Sequence, residues 1–190
     1  NNRNTNNNRN TNNNRNNHNE KLRDYIEEHI DEIGILDTEG KYSNPLTGQS
    51  YTDRYFENVP IWENLPAYKD VTTVIDEITN NQVSLIISGT GSGKTVLIPK
   101  YALHYVKYQG KVASTNPKTL PTIINATFGA KCSDVELGQE VGYAAGGNKK
   151  MNDNTKLIYC TDGWLSAKIL GDDPYLEKSG IDVVIVGAGA

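Results

Sequence analysis

The sequence has little of what marks several classes of protein. It has only two cysteines, Cys132 and Cys160, and their spacing fits neither a zinc site nor a redox motif. It has no apolar run of about 18 residues, so we expect no membrane-spanning helix. Its N-terminal segment is not apolar, which excludes a secretory signal there. Together these absences predict a soluble, intracellular protein.

Basic charge is also scarce. The formal net charge is −4, from 19 basic and 23 acidic residues. Arg3, Arg9 and Arg15 lie in a terminal segment without acids, so the remaining residues hold 16 basic against 23 acidic side chains. The broad positive field that attracts nucleic acid is therefore absent. Any contact with nucleic acid must come from individual loops.

The N-terminal part lacks the composition of a folded core. Asparagine accounts for 13 of residues 1–19, and this low-complexity segment predicts a disordered arm. The arm is either a weakly basic contact to RNA or an expanded repeat without a role. Residues 20–64 predict a helical, turn-rich extension, with a helix over residues 20–34 from the spacing of its apolar side chains.

From residue 65 onward, strand and helix patterns alternate. The predicted strands are 83–87, 111–114, 155–160 and 182–186, and the predicted helices are 70–80, 94–108, 119–128 and 161–170. Such alternation is typical of an α/β domain with a mostly parallel sheet covered by helices on both faces.

One glycine-rich segment carries a specific chemical prediction. It reads Ser88, Gly89, Thr90, Gly91, Ser92, Gly93, Lys94 and Thr95. Glycines let the chain turn sharply and let phosphate approach the backbone N–H groups. The helix that follows adds free N–H groups and the positive end of its dipole. The segment therefore predicts a P-loop that binds a nucleoside triphosphate.

Two side chains of this P-loop have predicted contacts. Lys94 should reach the β- and γ-phosphates, and the Thr95 hydroxyl should hold Mg²⁺ on the bound nucleotide. Ser88 stands where the general pattern G-x-x-x-x-G-K-[ST] has its first glycine. The alternative is a Gly/Ser linker that ends in Lys-Thr by chance, which the flanking strand and helix patterns disfavour.

Six short segments between residues 65 and 186 form an ordered series. They are Leu65-Pro66-Ala67-Tyr68, Ile98-Pro99-Lys100-Tyr101, Thr115 to Lys118, Leu137 to Tyr143, Thr155 to Gly163, and Asp173 to Leu176. In order and spacing the series resembles the first motor domain of DEAH-box RNA helicases. That family has Leu-Pro-Val-Tyr, Ile-Pro-Gln-Tyr, the motif Ia Thr-Gln-Pro-Arg and the motif Ib Thr-Asp-Gly at the matching places. Each segment alone is weak evidence, but six in register are specific.

The resemblance implies a RecA-like α/β domain over residues 65–190, incomplete at its C-terminus, that binds ATP and Mg²⁺. It also implies sequence-independent contacts to single-stranded RNA. The RNA-facing residues would be Thr115, Asn116, Pro117 and Lys118 of motif Ia and Thr161, Asp162 and Gly163 of motif Ib. Short polar side chains and exposed N–H groups suit contacts to phosphate and ribose. A helix N-cap at the Thr-Asp-Gly segment is a compatible alternative.

The sequence departs from the family after its last predicted strand. Gly187, Ala188, Gly189 and Ala190 stand where the family has Asp-Glu-Ala-His. In the family the Asp holds Mg²⁺ through water and the Glu orients the attacking water, which Gly187 and Ala188 cannot do. The second RecA-like domain of the family has no counterpart in this sequence. Deliberate inactivation, a cloning artefact, a frameshift and natural decay all fit this departure.

Two hypotheses of different classes follow. In the first, the chain is the N-terminal part of an ATP-dependent RNA helicase, and it binds Mg-ATP and RNA with negligible turnover. In the second, it is a non-catalytic nucleotide- or RNA-binding module, or a decayed helicase fragment. A small kinase is a weaker third option, because no arginine-rich lid follows the core. An asparagine-rich arm before a diverged helicase sequence is associated with giant DNA viruses, which would place the protein in the host cytoplasm or a virion.

Overall fold

The computed structural model describes the backbone of residues 6–187 and the side chains of Asn17 and residues 19–187. Its helices are α1 (Asn6–His29), α2 (Asp53–Glu63), α3 (Val71–Asn80), α4 (Lys94–Tyr105), α5 (Thr119–Cys132) and α6 (Asp162–Ile169), with 3-10 turns at Gly34–Leu36 and Pro66–Asp70. Its strands are β1 (Val112–Asn116), β2 (Val141–Ala145), β3 (Asn148–Lys150), β4 (Leu157–Thr161) and β5 (Val183–Ile185). None of the described helices is long and apolar enough to cross a membrane.

The five strands form one sheet in the order β3-β2-β4-β1-β5. All neighbouring strands are parallel except β2 and β3, which form an antiparallel hairpin. Val112 of β1 lies opposite Leu157 on one side and Val183 on the other. Four of the five residues of β1, and four of the five of β4, are buried, as expected for inner strands of a parallel sheet. The predicted α/β fold with a mostly parallel sheet is thereby confirmed.

The side chains of the central strands alternate between two cores. Val112 and Leu157 belong to a core that also holds Ile26 of α1 and residues of α4 and α5. Their neighbours Ala113 and Ile158 belong to a core on the opposite face, covered by α6. Because successive strand residues point to opposite faces, burial on both faces fixes the register of the sheet.

Helix α2, which the sequence reasoning missed, packs against α5. Its buried residues are Tyr55, Val59 and Trp62, and they share a third core with residues of α4. Their spacing of four and three is helical, but Pro60 inside the helix obscures the pattern. The buried Asp134 carboxylate anchors the start of α2, since it accepts hydrogen bonds from Thr52 N, Thr52 Oγ1 and Arg54 Nε at 2.7, 2.7 and 3.1 Å.

Helix α1 begins earlier than the sequence predicts. It runs from Asn6 to His29, so the predicted disorder of residues 1–19 does not hold over residues 6–19, and residues 1–5 lie outside the described part. Burial of Ile26 holds the helix in place. Each residue added to an existing helix gains one backbone hydrogen bond, which favours its extension beyond the packed segment. The predicted end near Gly34 is also corrected to His29.

The predicted strand 83–87 is not formed. Val83, Leu85 and Ile87 are 87, 85 and 84% exposed, and only Ile86 packs against a core. An apolar run becomes a strand only when a neighbouring strand pairs with its backbone. Among the described residues, none of the five strands pairs with residues 83–87.

The β2–β3 hairpin is a further element that the sequence reasoning did not predict. Its two-residue turn is Gly146-Gly147, with φ values of 57° and 79°. Two consecutive residues with positive φ are typical of the type I′ turn that joins antiparallel strands. The Gly-Gly pair is the sequence signal from which this hairpin could have been predicted.

A buried lysine ties α4 to its surroundings. Lys100 is 8% exposed, and its Nζ donates to the Cys132 carbonyl at 2.7 Å and lies 4.1 Å from the centroid of the Trp62 ring. The salt bridges found among the described residues do not include Lys100. Burial without an acidic partner lowers the pKa of Lys100 to about 8.

We expect this burial to give the stability of the chain a measurable pH dependence. An unfolded lysine keeps its proton up to its ordinary pKa of 10.5, whereas the folded chain releases it near 8. Between these values the unfolded state binds more protons, so the free energy of unfolding rises with pH. Between pH 8 and 10, the free energy of unfolding of the native chain should rise by about 2–3 kcal/mol relative to that of Lys100→Gln.

Denaturant unfolding of both proteins at several pH values measures this difference. Lys131→Gln serves as the control, because Lys131 is exposed. A difference between native chain and Lys100→Gln that stays constant with pH would contradict the expectation.

Candidate functional site

Residues 88–95 form a turn that leads into α4. Gly91 and Gly93 have φ values of 78° and 96°, a left-handed conformation that favours glycine. At Gly93 an added Cβ would also lie 2.6 Å from Leu65 Cδ1. Position 93 therefore requires glycine for its backbone conformation and for the close approach of Leu65.

The outer side of this turn is open. An added Cβ at Gly89 or Gly91 would meet no atom within 4 Å. Lys94 and Thr95 are the first two residues of α4, and in the described part of the chain their backbone N–H groups have no hydrogen-bond acceptor. Free N–H groups at a helix N-terminus attract anions, so the turn offers the chemistry that a phosphate group needs.

The Lys94 side chain folds back over the turn. Its Nζ donates to the carbonyl oxygens of Ser88 and Gly89 at 2.5 and 2.9 Å. The hydroxyls of Ser88 and Ser92 are hydrogen-bonded at 2.8 Å, so the residue that departs from the general pattern links the two sides of the loop. A bound phosphate would offer the Lys94 ammonium a charged acceptor in place of these neutral carbonyls. Thr95 is exposed.

The two predicted RNA-facing loops are brought together by the sheet. Asn116 ends β1 and Thr161 ends β4, and these two residues are partners in the parallel register. Both loops therefore leave the same edge of the sheet, where α5 and α6 begin. Pro117, Lys118, Asp162 and Gly163 are exposed, as a surface that contacts nucleic acid requires.

Two polar side-chain groups at this edge lack partners. Thr115 Oγ1 and Asn116 Nδ2 are buried and have no hydrogen-bond partner among the described residues. Asn116 Oδ1 accepts from Asn125 Nδ2 at 3.0 Å, which fixes the orientation of the amide. Unsatisfied buried donors are costly and often mark a site that a ligand or water completes.

The alternative interpretation of the Thr-Asp-Gly segment can be checked directly. Thr161 occupies the N-cap position of α6, but its side chain makes no capping hydrogen bond. Lys118 precedes α5 in the same way, also without a side-chain cap. The positive ends of two helix dipoles and the Lys118 ammonium therefore lie at one sheet edge, where they favour an anionic ligand.

Gly187 lies beside the same edge. An added Cβ at this position would be 2.6 Å from the carbonyl oxygen of Thr115. A backbone oxygen cannot move aside as a flexible side chain can, so an aspartate here would require a shift of the chain. Ala188 lies outside the described residues.

A contact that the sequence reasoning missed supports the turn 88–95 from behind. Ala67 N donates to the Ser92 carbonyl at 2.9 Å, and Tyr101 Oη donates to the Ala67 carbonyl at 3.0 Å. Ala67 and Tyr101 belong to two of the six segments of the ordered series, but the sequence alone gave them no role. Long-range hydrogen bonds of this kind leave no local signal in a sequence.

Metal-binding side chains are not clustered in this part of the molecule. The described residues contain no group of three or more His, Cys, Asp or Glu side chains that could hold a metal ion. Cys132 and Cys160 are both buried and free, and burial raises the pKa of Cys160 to about 12. The prediction of a Mg²⁺ carried by a bound nucleotide and Thr95 remains a prediction.

Comparison with known proteins finds relatives that are named as ATP-dependent RNA helicases. The chain is 45% identical over 158 residues to an ATP-dependent RNA helicase of Acanthamoeba polyphaga mimivirus, an alignment that covers 82% of this chain and 22% of the relative. It is 30% identical to the ATP-dependent RNA helicase DHR2 of Saccharomyces cerevisiae, over 76% of this chain and 20% of that protein. It is 29% identical to the pre-mRNA-splicing factor ATP-dependent RNA helicase DHX32 of Mus musculus, over 81% and 21%.

These alignments span only a part of each relative. The chain corresponds to about a fifth of the length of the curated relatives that it matches. No protein-family model matches the chain.

Proposed function

Because the chain is homologous to DEAH-box ATP-dependent RNA helicases, we propose that it forms the ATP-binding part of such an enzyme. In this proposal the turn 88–95 holds Mg-ATP and the loops 115–118 and 161–163 hold single-stranded RNA. The observation that carries the proposal is the open, glycine-shaped turn at the start of α4, with Lys94 folded over it.

For the nucleotide, the proposed roles follow from charge and exposure. The amides of Lys94 and Thr95 would donate to phosphate oxygens, and the Lys94 ammonium would move from its carbonyl partners to the β- and γ-phosphates. The exposed Thr95 hydroxyl would complete the shell of the Mg²⁺ that the nucleotide brings.

For the RNA, the proposal explains how an acidic chain could bind an anion. Lys118 and two helix N-termini supply local positive potential at one sheet edge, although the net charge of the chain is −4. Pro117, Lys118, Asp162 and Gly163 are exposed at this edge, whereas the unpaired Thr115 Oγ1 and Asn116 Nδ2 are buried behind it. A lysine ammonium and helix N-termini favour anionic groups, so the contacts would be to phosphate and ribose.

We infer that this chain turns ATP over negligibly. No carboxylate stands at Gly187 or Ala188, the positions at which the family has its metal-binding and water-orienting acids. Asp182 lies at the other end of β5, where its carboxylate accepts from Lys111 N at 2.8 Å. The Asp173 carboxylate accepts from the backbone N–H groups of Lys178 and Ser179. Neither acid is free to serve a nucleotide at the P-loop.

A second candidate function is a non-catalytic module that binds nucleotide or RNA. The closeness of Gly187 to the Thr115 carbonyl favours this candidate, because the local backbone leaves no room for a side chain. Both candidates predict that the chain binds nucleotide and RNA. They differ in whether the functional protein needs acidic residues at positions 187 and 188.

We expect Lys94→Ala to weaken Mg-ATP binding roughly 10- to 100-fold, because charge-assisted hydrogen bonds contribute about 1.5–3 kcal/mol. Titration of the full chain with a fluorescent ATP analogue measures the change. Lys149→Ala is the control, since Lys149 is an exposed lysine of β3. Equal affinity in Lys94→Ala and the native chain would remove the basis of the proposal.

We expect Lys118→Ala to weaken binding of single-stranded RNA and to lower the slope of log affinity against log salt by about 0.7, the loss of one phosphate contact. Fluorescence anisotropy with unrelated oligoribonucleotides at several salt concentrations measures both quantities. The matched control is Lys131→Ala, which removes a lysine from the opposite end of α5. If both variants lose affinity equally, the contact is general electrostatics and the assigned loop is wrong.

We expect RNA-stimulated ATP hydrolysis by the chain to stay at the background set by Lys94→Ala. The missing carboxylates leave no group to orient the attacking water. A coupled phosphate-release assay with saturating RNA tests this, and Gly187→Asp combined with Ala188→Glu tests whether acids alone restore turnover. Hydrolysis by the native chain that Lys94→Ala abolishes would overturn the inference of inactivity.

A further inference from the structure

A second layer of hydrogen bonds lies behind the P-loop. The residue that joins its parts is Ala67, in the 3-10 turn Pro66–Asp70. Its N–H donates to the Ser92 carbonyl at 2.9 Å, and its own carbonyl accepts from Tyr101 Oη at 3.0 Å. One peptide segment therefore connects a side chain of α4 to the backbone of the loop at the start of the same helix.

The surroundings hold this connection rigidly. Tyr101 is fully buried, and it lies about two turns beyond Lys94 in α4. Next to Ala67, the Leu65 side chain packs against Gly93, where an added Cβ would lie 2.6 Å from Leu65 Cδ1. The turn thus touches two consecutive residues of the loop, Ser92 by a hydrogen bond and Gly93 by close packing.

We propose that Tyr101 is a positioning residue for nucleotide binding, acting through Ala67 on the Ser92–Gly93 segment of the P-loop. The inference rests on the proposed binding of nucleotide at residues 88–95. Tyr101 does not touch the nucleotide in this proposal. Its hydroxyl fixes the Ala67 peptide, which holds Ser92 and Gly93 so that the amides at the start of α4 face outward before the ligand arrives.

The physical basis is the cost of ordering a glycine-rich loop. Gly89, Gly91 and Gly93 have no side chain that restricts their backbone, so a loop that is not held from outside must lose conformational freedom when phosphate binds. A loop that is already held in its binding conformation avoids much of that loss, which raises the affinity. Without the Tyr101 hydroxyl, the loop would lose this conformational entropy when the nucleotide binds, and the affinity would be lower.

The chain offers a closely matched control. Tyr68 lies in the same 3-10 turn, and its Oη donates to the Ile35 carbonyl, also at 3.0 Å. Its bond leads to the turn Gly34–Leu36 and not to the P-loop. Tyr68→Phe and Tyr101→Phe therefore each remove one hydroxyl and one tyrosine-to-carbonyl bond, but only Tyr101→Phe releases the segment that holds Ser92.

The test compares Mg-ATP affinity of the full chain with that of the two variants. Tyr101→Phe should weaken the affinity roughly 3- to 10-fold, the value of one buried hydrogen bond, and Tyr68→Phe should leave it within about twofold. Equal losses in both variants would overturn the inference, because the effect would then be general destabilisation. An unchanged affinity in Tyr101→Phe would also overturn it.

A second measurement does not need the nucleotide. Hydrogen exchange of the Ala67 amide should be faster in Tyr101→Phe than in Tyr68→Phe, because the bond to Ser92 loses its support. Equal exchange rates in the two variants would overturn the inference. If the native chain binds Mg-ATP no better than Lys94→Ala, both the proposed function and this inference are wrong. If the native chain binds Mg-ATP saturably and Tyr101→Phe binds it equally well, only the role of Tyr101 is wrong.

Discussion

Parallel pairing of β1 with both of its neighbours is the constraint on which the arrangement depends. Val112 aligns with Leu157 and with Val183, so the three strands run in one direction and their carboxyl ends share one edge. That edge receives Asn116, its register partner Thr161, and Gly187 beside the Thr115 carbonyl. A slip of one residue would send the two sets of alternating side chains to the wrong cores and separate these loops.

The candidate sites use the backbone as their main source of positive potential. The chain carries more acids than bases, and the P-loop region contributes the single cation Lys94 among small and hydroxylated residues. Lys118 at the sheet edge and main-chain N–H groups at the starts of α4, α5 and α6 supply the remainder. Such groups are useful only where the backbone is held in place, which is why the buried contacts of Leu65 and Ala67 matter as much as the charged side chain.

Local patterns in the sequence predicted the features that are locally encoded. The alternation of strand and helix patterns was sufficient for the α/β fold. The glycine spacing of residues 88–95 predicted the turn before α4, and nucleotide binding at that turn stays a proposal. The apolar run 83–87 led to a wrong strand prediction, because hydrophobicity indicates a tendency to form a strand but does not show that a neighbouring strand is present to pair with it. Pro60 masked the helical spacing in α2. The bonds of Ala67 to Ser92 and to Tyr101 connect distant parts of the chain, and no local pattern announces them.

The uncovered run at Val83, Leu85 and Ile87 has a consequence for how the chain behaves in concentrated solution. Three large apolar side chains point away from the protein, and β5 presents one side of its backbone without a strand neighbour among the described residues. An unpaired strand edge and a run of exposed branched side chains can each serve as a template on which another molecule builds intermolecular sheet. Crowding would therefore favour self-association through these features, and a segment that covered them would protect the chain against aggregation.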